Sequence, residues 1–432
     1  MRWPSLTPVE IAPKRANVML SQFFYWACVS FIAITGCGRA IEHCEDGLCP
    51  TATTCNPTTG LCDKNAASSS GSLGLFGRIQ WLRMADGQTA LVGYSAQRKS
   101  LVFVLHPDGE AQVSFIAGPA AAPDEPAAGE SSAAVVAADG QVHVAWFRQT
   151  DATLWYAAGG ATQWSRQQIA VDGEIGRDVA IGLFQGAPVV AYHSEKTHTI
   201  HVAQRGATSE WQIEQVPAPA PVAGLTVAAD VGRSLSMAIG PSGPAISAYD
   251  ASAGDLILAA RSGGVWSVVR LAGTDAASGV DTGDVGDPSA LAVGPTGELA
   301  VAYRNRSSGQ VQLVRSKAGE ISTQVVLSGE HTDDSSQLSR VDVVGSALDI
   351  AVLADGGVAV AMQNGSTMRV IVAVDKATGG FKRIDVPGDA HAWPRLLRQT
   401  DGGLAVGYIA LSGQGGPSTG RFDHWNLPGG GK

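Results

Sequence analysis

From residue 73 onward, short apolar runs alternate with polar, glycine-bearing turns, and no 3.6-residue periodicity appears. Seven runs end on a large side chain at one recurring place: TALVGY at Tyr94, QVHVAW at Trp146, PVVAY at Tyr192, AISAY at Tyr249, LAVAY at Tyr303, VAVAM at Met362 and LAVGY at Tyr408. The intervals between them are 52, 46, 57, 54, 59 and 46 residues, a spacing typical of propellers and solenoids. Within one interval the pattern predicts four short strands. In the fifth copy these are SALAVGP, LAVAYRN, VQLVRS and STQVVL, separated by TGE, RSSG and KAGE. Runs such as LAVAY are apolar at nearly every position, as expected of strands buried on both faces.

Further offsets repeat with them. A glycine stands 17 residues before the recurring position at Gly77, Gly129, Gly232, Gly286 and Gly345, and 16 before at Gly176. Three of these lie in an acidic, branched, Gly, charged sequence: EIGR, DVGR and DVGD. Trp164, Trp211, Trp266 and Phe381 follow the recurring position at a roughly constant distance. Four strands in each of seven units predict an all-β chain, a seven-bladed β-propeller over 73–432, with an open solenoid as the competing arrangement. The last copy lacks an evident fourth strand. The segment around Leu73 to Phe76 is expected to supply it and so close the ring, since an open array leaves exposed edges.

The N-terminal part is of another kind. All six cysteines lie between Cys28 and Cys62. Lys14 and Arg15 precede an uncharged apolar stretch that ends in ITGC at Cys37. A basic region followed by an apolar one reads as an export signal. The ITGC ending resembles the bacterial lipobox, which implies a signal peptide over 1–36 and an acylated Cys37. An uncleaved transmembrane anchor and ordinary cleaved secretion are the alternatives. Gly38 after the cysteine implies delivery to the outer membrane by the bacterial sorting rule. Cys44, Cys49, Cys55 and Cys62 form a Pro/Gly/Thr-rich stalk over 37–65 that reads as two disulfides of open connectivity. Zinc competes with that reading, although no CxxC pair is present. The serine-rich 66–72 serves as a linker.

Composition narrows the functions. Glycine is abundant at 53 of 432 residues and charge is sparse at 16%, which suits many tight turns. The net charge of −9 and the lack of a basic cluster exclude nucleic acid as a partner. The repeat resembles the degenerate propeller repeats of bacterial exported proteins, distant relatives of sialidase-type blades. The stalk is similar to Cys-rich segments of lipoproteins from δ-proteobacteria, the myxobacterial type among them. These resemblances imply a lipid-anchored envelope protein and leave the activity open. The sialidase Asp-box is absent, as are phosphate-binding, nucleophile-elbow and zinc-protease motifs. The reading is therefore a non-enzymatic, monomeric platform for an envelope protein or glycan, needing no cofactor. A carbohydrate-active propeller, lectin or glycoside hydrolase, is the alternative, and a structural scaffold is a third.

Ligand-facing positions are sought in the residue after the recurring aromatic, which varies from copy to copy. His193, Asp250, Arg304 and Gln363 are its polar members, beside Ser95, Phe147 and Ile409. His193, Glu195, His198 and His201 are weighed as metal ligands and read instead as turn and rim residues. Asp281, Asp284 and Asp287 in a glycine-rich loop are weak calcium candidates, since their spacing is not that of an EF-hand.

Overall fold

The computed structural model describes residues 53–56, 61–64, 75–107, 111–170, 175–222, 228–274, 280–317, 320–332, 339–375, 379–386, 391–399, 403–410 and 421–426. The chain divides into two units, Met1–Asn65 and Ala66–Lys432. In the first, strands Thr53–Asn56 and Leu61–Lys64 pair antiparallel with Cys55 opposite Cys62. Cys28, Cys37, Cys44 and Cys49 lie outside the described residues, as does the apolar stretch before Cys37.

The second unit is a β-propeller. Its described residues form six four-stranded antiparallel sheets and one of three strands, each a meander in chain order. Sheets 1 to 7 open with the strands Leu75–Arg83, Ser131–Val136, Ile175–Phe184, Val231–Gly240, Val285–Val293, Val344–Val352 and His391–Arg398. Those first strands neighbour one another in succession, and that of sheet 7 neighbours that of sheet 1. A hairpin, Glu330–Thr332 with Ser339–Val341, interrupts the passage from sheet 5 to sheet 6.

The core lies between sheets. Trp146, Tyr192, Tyr303, Met362 and Tyr408 are buried, and each packs on the sheet before its own. At ~1.5–3 kcal/mol for each large apolar side chain removed from water, these interfaces supply most of the cohesion between sheets. The recurring tryptophans lean the same way. Trp211 meets Tyr156 edge-on at 5.1 Å, and the Trp164 and Trp266 indoles donate to Ser114 and Glu214 at 3.0 and 3.1 Å.

Closure differs from the expectation. Leu75 and Phe76 belong to the first strand of sheet 1, paired with Ser95 and Tyr94, and do not extend sheet 7. The segment FGRIQWLR is needed as that sheet's own inner strand, so it is not available as an outer one. The ends of the ring meet by packing instead. Trp81, Ile79 and Leu91 of sheet 1 share a core with Leu397, Ala405 and Ile409 of sheet 7. Gly407 permits it, since a Cβ there would lie 2.6 Å from the Trp81 ring.

The turns between second and third strands share a rule that the sequence pattern hides. In sheets 1 to 6 the second strand ends at Ser95, Arg148, Ser194, Asp250, Asn305 or Asn364, which caps the turn. The residue four after it takes a left-handed conformation: Lys99, Ala152, His198, Gly254, Gly309 and Met368, with φ between 50° and 78°. Caps such as Asn305 and Asn364 accept backbone N–H bonds within the turn at 2.9 Å. Only two of the six are glycine, although left-handed backbone costs an L-residue ~1–2 kcal/mol. Ala152→Gly and Lys99→Gly are therefore expected to stabilise the fold by about 1 kcal/mol each, less the entropy of the unfolded chain. A raised urea midpoint checks this, and a lowered one contradicts it.

Candidate functional site

Every first strand except that of sheet 2 carries a bulge near its start, where the pairing register slips between Phe76 and Gln80, Ile175 and Val179, Val231 and Ser236, Val285 and Ser289, Val344 and Leu348, or Ala392 and Arg395. Five of these bulges contain a repeat glycine: Gly77, Gly176, Gly232, Gly286 and Gly345. The reason for glycine is close approach in a left-handed backbone. At Gly232 (φ 135°) a Cβ would lie 2.7 Å from the His193 ring, and at Gly345 (φ 75°) 2.6 Å from Val311. A bulge re-aims the residues that follow it. Here Ile79, Asp178, Ser234, Asp287, Pro288, Ser346, Ala347, Trp393 and Pro394 are turned into a central depression of about 320 Å³, which Arg304, Arg306 and Arg395 also line.

Most of its charges are committed. Arg395 holds Asp349 at 2.9 Å and also reaches Gln80. Arg306 bonds Asp287, which also accepts from Ser234, and stands 3.7 Å from Asp284. Arg304 differs. Its Nε is buried without a hydrogen-bond partner, and no ion pair among the described residues engages it. Burial, with the like charge of Arg306, pulls its pKa down, against Asp287 and Asp284 which raise it.

Register and packing redefine the variable position. In sheet 4 it is Ala248, not Tyr249, that packs on the preceding sheet, and in sheet 1 Val92 and Tyr94 point away from it. Tyr94 and Tyr249 therefore share the face of His193, Arg304 and Gln363, toward the next sheet. Asp250 sits one residue beyond, paired with Val231 as Asn305 is with Val285. Asp250 is fully buried, bonded by Arg270 at 3.0 Å together with Asp255, whose carboxyl is pushed up chiefly by burial. Tyr249, expected in the core, is half-buried beside the network, and burial with the Asp284 charge raises its pKa to about 12.

The remaining sequence candidates do not gather into one site. His193 is buried, 3.1 Å from Asp230, which His198 and Arg233 also approach. His201 meets Thr197 at 3.0 Å. Gln363 is buried with its amide toward the Met368 sulfur at 3.7 Å. Asp281 accepts from the Gly283 N–H at 2.7 Å and is exposed, apart from the Arg306 pair formed by Asp284 and Asp287. Among the described residues no three His, Cys, Asp or Glu side chains converge as a metal site. Of the bulge residues that line the depression, Asp287 alone was a sequence candidate.

No family model and no curated protein matches the chain. Among solved structures it is similar to the α-L-arabinanase of Penicillium chrysogenum, at 12% identity and TM-score 0.44 over 69% of this chain and 92% of that one. It is also similar to the six-bladed fucose-recognising lectin of Aleuria aurantia, at 15% identity and TM-score 0.45 over 73% and 98%. An ulvan lyase of polysaccharide lyase family PL25 aligns at 11% identity and TM-score 0.49 over 82% and 95%.

The raised tyrosines give a pH dependence. Tyr249 and Tyr303 are held near 12 in the fold by burial, whereas the unfolded chain ionises them at 10. Their contribution is whole below pH 10 and is lost as pH rises from 10 through about 12. Urea midpoints are expected to fall across that window, and less steeply in Tyr249→Phe and Tyr303→Phe. Equal slopes in all three proteins would contradict the assignment.

Proposed function

We propose that this chain is an exported, lipid-anchored envelope protein whose seven-bladed propeller binds a ligand at the mouth of its central depression without turning it over. The observation that carries the reading is the convergence of six bulged strands on one depression of about 320 Å³. That volume lies at the low end of small-molecule sites, ~300–1,000 Å³. A bulge costs a ladder hydrogen bond and a glycine. Repetition of this cost around the ring is accounted for if the residues after each glycine have work at the mouth. The seven-blade count rests on six four-stranded sheets and one three-stranded sheet whose first strands form a cycle. Attachment rests on ITGC, with Cys37 as the acylated residue, and on the stalk cysteines Cys44, Cys49, Cys55 and Cys62.

The anchor and the site are separately testable. Cys37→Ser is expected to abolish palmitate labelling and to release the chain from membranes, and retention without label would contradict lipid anchoring. Ser346 is exposed and lines the depression. Ser346→Trp is expected to remove small molecules that co-purify with the full chain, read by native mass spectrometry. The same bound mass in both proteins, or hydrolysis of any glycoside by the chain, would overturn the reading.

A further inference from the structure

Two successive interfaces, between sheets 3 and 4 and between sheets 4 and 5, share one pair. In each, the residue two before the repeat glycine reaches back to the variable position on the preceding sheet. Asp230, before Gly232, takes His193 at 3.1 Å, and Asp284, before Gly286, lies beside Tyr249. Backbone bonds fix where the acid stands. The carbonyls of Asp230 and Asp284 accept from Ala251 and Arg306 at 2.8 Å, and their N–H groups donate to Asp250 and to Ser307 Oγ.

The next interface keeps this backbone and changes the side chain. Two before Gly345 stands Val343, whose carbonyl accepts from Gly365 at 2.8 Å and whose N–H donates to Ser366 Oγ at 2.8 Å. By the same count, the variable position on the preceding sheet is Arg304. Thus the only arginine in this series falls at the one interface of these three whose residue two before the glycine is a valine. Gly345 lies against Arg304, a Cβ there falling 3.6 Å from that of Arg304. Of the neighbouring acids, Asp287 is taken by Arg306 and Ser234, and Asp284 stands 3.7 Å from Arg306 and beside Tyr249.

A guanidinium presents a planar fork of donors, most of which need acceptors when withdrawn from water. Resting on the reading that the depression is a ligand site, we infer that Arg304 is its anion-recognising residue: it takes the oxygens of a small organic anion, carboxylate or phosphate ester, in the place left by Val343. The two anion types offer Arg the same pair of oxygens, so the test separates them.

The experiment uses the full chain in detergent, titrated calorimetrically with sodium succinate and with inorganic phosphate at constant ionic strength. One saturable site is expected for at least one probe. Succinate alone assigns a carboxylate, phosphate alone a phosphate ester, and both a general anion site. Arg304→Gln and Val343→Asp are each expected to weaken binding at least about tenfold. Val343→Asp does so with the arginine still present, and its unchanged or raised thermal midpoint shows that it folds. Absence of binding for both probes, or equal binding in both variants, overturns the inference. Should Ser346→Trp remove a co-purifying ligand while Arg304→Gln and Val343→Asp retain it, the mouth remains the site and only the anion assignment fails.

Discussion

The approach of each first strand to the sheet before it sets the rest of the structure. Side chains of Leu101, His193, Leu256 and Val311 come so close to the repeat glycines of the next sheet that a Cβ would stand 2.5–3.1 Å away. Glycine solves this in a left-handed backbone, and in all but sheet 2 a bulge accompanies the close approach. Two consequences follow from one constraint. The large residues of the second strands can bury against the neighbouring sheet, and the residues after the glycine are turned inward. Cohesion of the ring and composition of its mouth are therefore coupled.

The polar groups at the mouth obey the rules of buried charge. Removing charge from water is costly unless it is paired and hydrogen-bonded. Arg395 is paired with Asp349 and Arg306 with Asp287, and outside the depression Arg270 is paired with Asp250 and Asp255. Arg304 forms no ion pair among the described residues, and its Nε is buried without a hydrogen-bond partner. Its position repeats that of His193 and Tyr249, which meet Asp230 and Asp284, whereas the residue two before Gly345 is Val343.

The architecture was legible because its signals are periodic. Apolar runs, the glycine offset and the tryptophans recur together, and each has a packing cause. The site was less legible because strand pairing tolerates shifts of one residue that a linear offset cannot register. Tyr249 and Tyr303 occupy the same count in their copies, yet Tyr303 is buried against sheet 4 while Tyr249 faces sheet 5, with Ala248 taking the packing role. That slip moved Asp250 into a turn cap. The segment around Leu73 to Phe76, expected to close the ring, pairs instead at Leu75 and Phe76 with the next strand of its own sheet, because a terminal apolar segment carries no mark of which end it joins. Lys99 and Met368 show a third gap, because left-handed turn residues are invisible where no glycine marks them.

The arrangement of the mouth depends most directly on the equivalence of Val343 with Asp284 and Asp230 opposite the variable position. A double-mutant cycle of unfolding free energies across Arg304→Gln and Val343→Asp measures it. Stabilisation by Val343→Asp that disappears in the Arg304→Gln background, a coupling of about 1 kcal/mol, is the predicted result. Zero coupling would show that position 343 does not face Arg304, contradicting both the equivalence and the vacant acid position opposite that arginine.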